Sequence, residues 1–128
     1  MRKSQLLAVS LVALATGCGA PQHAKASGGF ADDRSVIQVV STNVQGKNVY
    51  IPSTIVVTAG ESQTLQIFNT TEKPHGFSID GLGIQEVLAP GEEHDVALSG
   101  LEGGKVYQVH CQLHPAHRTA TLLVLPGR

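Results

Sequence analysis

The sequence predicts an all-β domain, a sandwich or a barrel, because of its composition, its short apolar runs and its turn residues. Glycine is frequent at 14 residues, tryptophan is absent, and charged residues make up only 15% of the 128-residue chain. Apolar positions never hold a helical period for long, while Gly and Pro separate short alternating runs, as in sandwiches and barrels. The length fits one domain, and a net charge of -1 gives no support to nucleic-acid binding.

Residues 1–17 are predicted to be a signal peptide rather than part of the fold. Two basic residues precede an apolar stretch from Leu6 to Ala15, which is too short to span a bilayer comfortably. The following residues, ending at Cys18, are similar to a bacterial lipobox, in which the cysteine is lipidated and becomes the new N-terminus. We therefore expect a lipid anchor at Cys18. Ordinary cleavage after Ala26, in the sequence AKA, is the alternative.

Residues 18–33 are small, polar and turn-prone, and are predicted to form a flexible tether in which His23 is a bystander. The signal and anchor place the protein in the periplasm or at the surface of a bacterium, bound to a membrane through lipid. Such compartments are oxidising. With Cys18 lipidated, Cys111 has no disulfide partner, and a metal site would explain this unpaired cysteine.

The folded domain is expected to span residues 34–128. In the eighth of its candidate strands, KVYQVHC, alternation places Tyr107, Val109 and Cys111 on one apolar, inward face. His110 is on the opposite face, either solvated or at the rim of a site. The candidate strands, in chain order, are SVIQVVSTNV, VYIP, TIVVTA, SQTLQIFN, GFSI, IQEVL, DVALS, KVYQVHC and TATLLVL.

The loop before the last strand concentrates metal-ligating side chains. In HCQLHPAH, which ends at residue 117, Cys111, His114 and His117 are each separated by two residues. Thiolate and neutral imidazole suit copper and zinc rather than calcium or magnesium, and a bound cation removes the thiol proton near neutral pH. Pro115 stiffens this loop. His75, at a strand start after the NTTEKP loop, is a further candidate ligand from a distant part of the chain.

The segments VVTAGESQTLQIFN, PHGFSI and YQVHCQLHPAHRTATLLV resemble the cupredoxins, copper proteins with a Greek-key β-sandwich. The resemblance covers roughly residues 48–125 and implies a sandwich of about seven to eight strands. It implies His75 and His114 as histidine ligands and Cys111 as the thiolate. His117 stands where short-loop members such as amicyanin have methionine.

Two further segments, GFSIDGLGIQEVLAPGE and CQLHP, are similar to red copper proteins of the nitrosocyanin type. His75 stands where those proteins have a glutamate ligand, and their last histidine is spaced further along the loop than His117. The implied ligand set is therefore a hybrid of one cysteine and three histidines around a single copper ion.

This ligand set implies an electron carrier that exchanges single electrons with redox protein partners. Imidazole in place of a weak axial methionine favours Cu(II), so we expect a lower potential and a colour shifted from blue toward green or red. Gly76 stands where many cupredoxins have asparagine, so only its backbone N–H is available to the sulfur.

Two other functions stay open on the sequence. One is a nitrosocyanin-like site that binds or converts a small nitrogen oxide at an open copper position, with His117 turned to solvent. The other is a copper-holding or zinc-binding protein without a redox role. Hydrolytic chemistry has no motif to support it, and we interpret His94 and Glu86 as structural or surface residues rather than ligands.

Overall fold

Nine β-strands alternate with tight turns along residues 35–128, the part of the chain that this computed structural model describes. Each strand overlaps one of the candidate segments, so the all-β prediction is confirmed, with a strand count slightly above the expected one. The predicted signal peptide, Cys18, the tether and Arg34 lie outside the described residues. The strands are β1 (Val36–Val44), β2 (Lys47–Ile51), β3 (Thr54–Thr58), β4 (Gln63–Asn69), β5 (His75–Ile79), β6 (Ile84–Leu88), β7 (Glu93–Leu98), β8 (Val106–Val109) and β9 (Ala120–Leu125).

The strands form the two layers of a Greek-key sandwich, as predicted. One sheet has the order β2-β1-β4-β7, in which only β1 and β4 are parallel. The second has the order β3-β9-β8, in which β3 and β9 are parallel. β5 and β6 form an antiparallel hairpin, and a single bridge between Ser78 and His110 joins this hairpin to the end of β8. The bridge brings the start of β5 beside the loop that follows β8.

Alternating burial along the strands builds one core between the sheets. Leu65 and Ile67 of β4 are fully buried from one side, and Leu122 and Val124 of β9 from the other. Phe77 of β5 is also fully buried in this core. The described residues contain one short 3-10 turn, Asp80–Leu82, and no helix long and apolar enough to cross a membrane.

The predicted parity of β8 is confirmed. Val109 is fully buried and Cys111 is only 5% exposed, whereas Val106 on the opposite face is 64% exposed. His110 is half-buried at the outer side, where its Nε2 lies 3.8 Å from the carboxylate of Asp80. The inward direction set by the strand therefore persists two residues beyond Val109, the last residue of β8, and carries the cysteine into the molecule.

Candidate metal centre

The start of β5 is fixed by Asn69, a fully buried residue at the end of β4. Its Oδ1 accepts hydrogen bonds from the N–H and the hydroxyl of Thr71, at 3.0 and 2.8 Å. The Asn69 Nδ2 group donates to three carbonyl oxygens, those of Lys73 at 2.8 Å, Leu88 at 3.0 Å and Ala89 at 3.2 Å. The loop that precedes His75 is thus tied to the end of β6, and the His75 side chain enters the site only 2% exposed.

The loop after β8 turns twice in three-residue steps. The His114 N–H donates to the Cys111 carbonyl at 3.4 Å, and the His117 N–H donates to the His114 carbonyl at 2.9 Å. Each step closes over two residues, which gives the spacing of these residues a structural reason. The loop is then tied to the other sheet, because the Arg118 N–H donates to the Asn48 carbonyl at 2.9 Å.

His75, Cys111 and His114 come together at this end of the sandwich. The Nδ1 atoms of His75 and His114 lie 3.9 and 3.6 Å from the Cys111 Sγ, and the three donor atoms all lie within 4.8 Å of one another. His75 and Cys111 are buried and His114 is half-buried. Among residues 35–128, no other trio of His, Cys, Asp or Glu has this metal-binding geometry.

The two nitrogen-to-sulfur separations match those around a single ion. Bonds of about 2.1 Å to nitrogen and about 2.3 Å to sulfur, at angles between tetrahedral and trigonal, separate the two donor atoms by about 3.6 to 3.8 Å. The observed separations of 3.6 and 3.9 Å are close to this range. One thiolate and two imidazoles form a donor set for copper or zinc.

The sulfur accepts a backbone hydrogen bond. The Gly76 N–H donates to the Cys111 Sγ at 3.2 Å, which confirms the expectation that residue 76 reaches the sulfur through its main chain. The carbonyl of the same glycine accepts from the Tyr50 hydroxyl at 2.6 Å. Burial, followed by the effect of Cys111, raises the pKa of Tyr50 far above its usual range, so its hydroxyl keeps its proton and stays a donor.

His117 is buried beside this trio but is not part of it, so the expectation of the open-site alternative that His117 is turned to solvent is wrong. Its side chain is 4% exposed, and its ring lies 4.2 Å from the Tyr50 ring and 5.1 Å from the His75 ring, between centroids. Nδ1 is 2.9 Å from the Arg118 carbonyl, which can only accept, so Nδ1 carries the proton. In the neutral ring Nε2 then accepts from the Ser41 hydroxyl, 3.3 Å away. A fourth-ligand role for His117 stays a prediction.

Burial controls the protonation of the two most enclosed imidazoles. It lowers the pKa of His75 below the usual 6.5, and the nearby His117 and His114 lower it further. Burial also lowers the pKa of His117, partly offset by the hydrogen bond to Arg118. Both rings are therefore neutral at neutral pH, and neutral imidazole is the form that binds metals.

The remaining histidines of the described chain have carboxylate neighbours. The Nδ1 of His94 lies 3.0 Å from the Glu86 carboxylate and its Nε2 lies 3.6 Å from that of Glu92, all on partly exposed side chains. This agrees with the interpretation of His94 and Glu86 as surface residues. His23 lies outside the described residues.

Sequence reasoning missed the residues that hold these candidate ligands in place. Ser41 offers a signal in retrospect, because it shares the inward face of β1 with Val39 and both are buried. Tyr50 is a buried aromatic residue with a polar tip, and such groups need a hydrogen-bond partner. Asn69 stands at a strand end before a loop rich in polar residues, where asparagine favours turns.

The fold and the trio define a small β-sandwich in which a buried cysteine lies between two histidines at one pole, with donor atoms that could hold a metal ion. The family model of the Cupredoxin-like domain matches residues 7–124, most of the chain, and the protein therefore belongs to the cupredoxin-like family. No curated protein matches the sequence.

Proposed function

We propose that this protein is an exported mononuclear copper protein that carries single electrons and is anchored to a membrane by lipid on Cys18. The observation that carries the proposal is the trio of His75, Cys111 and His114 in a chain of the cupredoxin-like family. The donor set suits copper or zinc, and the family favours copper. Bound copper would supply the Cu(I)/Cu(II) couple.

The protein's contribution is a donor set whose positions are fixed by its backbone. His75 is the first residue of β5, Cys111 accepts the Gly76 N–H, and His114 lies between two hydrogen-bonded turns. A ligand set held by supporting hydrogen bonds keeps its geometry when the charge of the ion changes. Such a site suits one-electron transfer.

Access for a redox partner is best at His114. His75 is 2% exposed and Cys111 5% exposed, whereas His114 is half-buried. Leu113, its neighbour in the loop, is 42% exposed. We therefore place contact with a redox protein partner on the surface around His114.

The test is to add Cu(II) to the full chain and to record visible absorption, EPR and the reversibility of reduction. We expect intense thiolate-to-copper absorption that is lost in Cys111→Ser and kept in the surface control His94→Gln. A wild-type protein that retains Zn(II) but gives no such absorption with Cu(II), or that cannot be reduced and reoxidised, would contradict the electron-carrier proposal.

The anchor has its own test. Cys18 follows an apolar run and small residues, and we expect export followed by lipid attachment at this cysteine. Expressed in a bacterium with lipoprotein processing, the wild-type chain should be found with membranes and Cys18→Ser should not carry lipid. Recovery of wild-type protein cleaved after Ala26, without lipid, would refute the anchor.

A second candidate function is a nitrosocyanin-like site that binds or converts a small nitrogen oxide. The observation that favours it is the position of His117, whose two ring nitrogens are hydrogen bonded to Arg118 and Ser41 rather than grouped with the three donors. If this arrangement persists with copper bound, nitric oxide should change the wild-type spectrum and His117→Met should leave the metal spectrum nearly unchanged. If His117 is the fourth donor, His117→Met should become bluer and its potential should rise.

A further inference from the structure

On the edge of β5 that faces β8, strand pairing ends just before β5 reaches the Cys111 sulfur. Ser78 and His110 exchange two hydrogen bonds, at 2.8 and 3.0 Å, and these are the last strand-type contacts between β5 and β8. Two residues away along β5, Gly76 turns its N–H and carbonyl to the same side. Its N–H donates to the Cys111 Sγ and its carbonyl accepts from Tyr50. The Cys111 side chain and the Tyr50 hydroxyl thus bond the two backbone groups of Gly76 that a neighbouring strand would otherwise bond.

The outer face of this segment is covered by one side chain, that of Gln112. Its Oε1 accepts from the Ser78 hydroxyl at 2.8 Å, and its Nε2 donates to the Glu86 carbonyl at 2.8 Å. The carboxamide is therefore fixed at both ends across the β5–β6 hairpin. Under this cover, Ser78 and Gly76 on the outer face of β5 are buried.

Gly76 has no side chain, and the Gln112 carboxamide occupies the space that a side chain would fill. A Cβ at residue 76 would stand 2.0 Å from the Gln112 Oε1 and 2.4 Å from its Cδ, far inside contact distance. Gly76 does not have a positive φ, so an added Cβ would not strain the backbone but would force the end of the Gln112 side chain to move. The two residues are thus sterically matched.

We infer that Gln112 is a positioning residue for the metal centre, because its carboxamide holds the Gly76 peptide so that the Gly76 N–H stays on the Cys111 sulfur. The consequence for the metal rests on the proposed function, whereas the consequence for the Gly76 N–H does not. A hydrogen bond to a ligating sulfur reduces the electron density that it donates, and such contacts tune redox potential. Gln112 acts on the ion through Gly76 and touches neither the ion nor a substrate.

The first test uses the metal-free, reduced full chain and amide hydrogen exchange. Gln112→Ala removes two hydrogen bonds, and we expect the Gly76 N–H to exchange about tenfold faster. Ser78→Ala removes one bond and should give a smaller increase, which keeps the test available if Gln112→Ala folds poorly. Gln108→Ala, at an exposed glutamine of β8, is the matched control and should leave the rate unchanged.

A double-mutant cycle tests the steric match. Gly76→Ala should destabilise the wild-type protein, because the added methyl group displaces the Gln112 carboxamide. In a Gln112→Ala background the three atoms nearest to the added methyl group are gone, and the same substitution should have little further effect. Additive effects of the two substitutions would show that Gln112 does not cover Gly76 and would overturn the inference.

The final test uses the copper-loaded protein. In Gln112→Ala we expect a shifted thiolate-to-copper band and a lower reduction potential, and neither change in Gln108→Ala. Gln112→Glu keeps the acceptor for Ser78 but loses the donor to Glu86, and should lie between wild type and Gln112→Ala. An unchanged exchange rate, band and potential in Gln112→Ala would reduce Gln112 to a loop-stabilising residue. If wild-type protein shows no thiolate-to-copper band, the proposed function fails, and the exchange result decides the positioning of Gly76 alone.

Discussion

Removal of a single oxygen atom, in Tyr50→Phe, tests whether the Gly76 peptide depends on the Tyr50 hydroxyl. The donor residue is 2% exposed, and the O–H···O distance to the Gly76 carbonyl is 2.6 Å. Phenylalanine keeps the ring, which packs on His117 at 4.2 Å and edge-on to Phe77 at 5.5 Å between centroids. The substitution therefore keeps the ring packing and removes only the hydroxyl, with its hydrogen bond to Gly76 and its interaction with Cys111.

The expected loss of stability follows from the buried Gly76 carbonyl, which Tyr50→Phe leaves without its hydrogen-bond donor. A neutral intramolecular hydrogen bond contributes about 0.5–1.5 kcal/mol net, and a buried acceptor left without a partner raises the cost to about 1–3 kcal/mol. The Gly76 carbonyl has no strand beside it to replace the hydroxyl, so we expect a loss of about 2 kcal/mol in the free energy of unfolding. For a domain of this size that corresponds to a midpoint lower by about 8–16 °C.

Tyr107→Phe supplies the matched control. Tyr107 is half-buried and packs its ring against Gly81, and its hydroxyl has no hydrogen-bond partner within residues 35–128. We expect this substitution to change stability by no more than about 0.5 kcal/mol.

The assay is denaturant unfolding of the metal-free chain under reducing conditions, with equal m-values required for all three proteins. If Tyr50→Phe loses no more stability than Tyr107→Phe, the Tyr50 hydroxyl does not hold the Gly76 peptide. That result would refute the reasoning.

Two further predictions concern the loop before His75 and the buried imidazoles. Asn69→Ala removes the side-chain hydrogen bonds that tie this loop to the end of β6. It should destabilise the protein by at least about 3 kcal/mol in the same unfolding assay, against less than about 1 kcal/mol for Asn43→Ala at an exposed position. The metal-free protein should also lose stability in acid. The folded-state pKa values of His75 and His117 lie below 6.5, so the unfolded chain binds more protons than the folded one in acid. The stability that these two neutral histidines contribute is fully present above about pH 6.5, and it is lost as the pH falls through their folded-state pKa values. Unfolding midpoints between pH 7.5 and 5 should show this slope, which His117→Phe should reduce and His94→Gln should not.

Local patterns were sufficient for the strands and for the direction of the cysteine. Period-two alternation in a strand places a side chain by parity alone, which is why Cys111 could be assigned to the inward face from its neighbours Val109 and Tyr107. The grouping of Cys111 with His114 also follows from short spacing. His75 came into the prediction mainly through resemblance, since a histidine after a proline has no local feature that marks a ligand.

The supporting contacts could not be predicted, because each joins residues distant in sequence and similar to many others. The Tyr50 hydroxyl reaches a carbonyl 26 residues away, and the Gln112 amide reaches one at the same separation. The Gly76 N–H meets a sulfur 35 residues away. These partners are set by how β5 and β6 dock at the end of β8, and no single strand carries that information.

The choice between a closed and an open metal site depends on which ring nitrogen of His117 has a lone pair. The Arg118 carbonyl fixes the proton on Nδ1, so only Nε2 can bind an ion without a change of tautomer, and Nε2 is hydrogen bonded to Ser41. Ser41→Ala therefore distinguishes the two arrangements in copper-loaded protein. If His117 still bonds to Ser41 when copper is present, the substitution frees Nε2, and we expect tighter copper binding with a lower potential. If Nε2 already binds copper, the serine hydroxyl has been replaced and the spectrum should not change. An unchanged spectrum in Ser41→Ala would exclude the open site, and a response of the wild type to nitric oxide would exclude the closed site, which has no position for that ligand. The two results together would therefore contradict both arrangements.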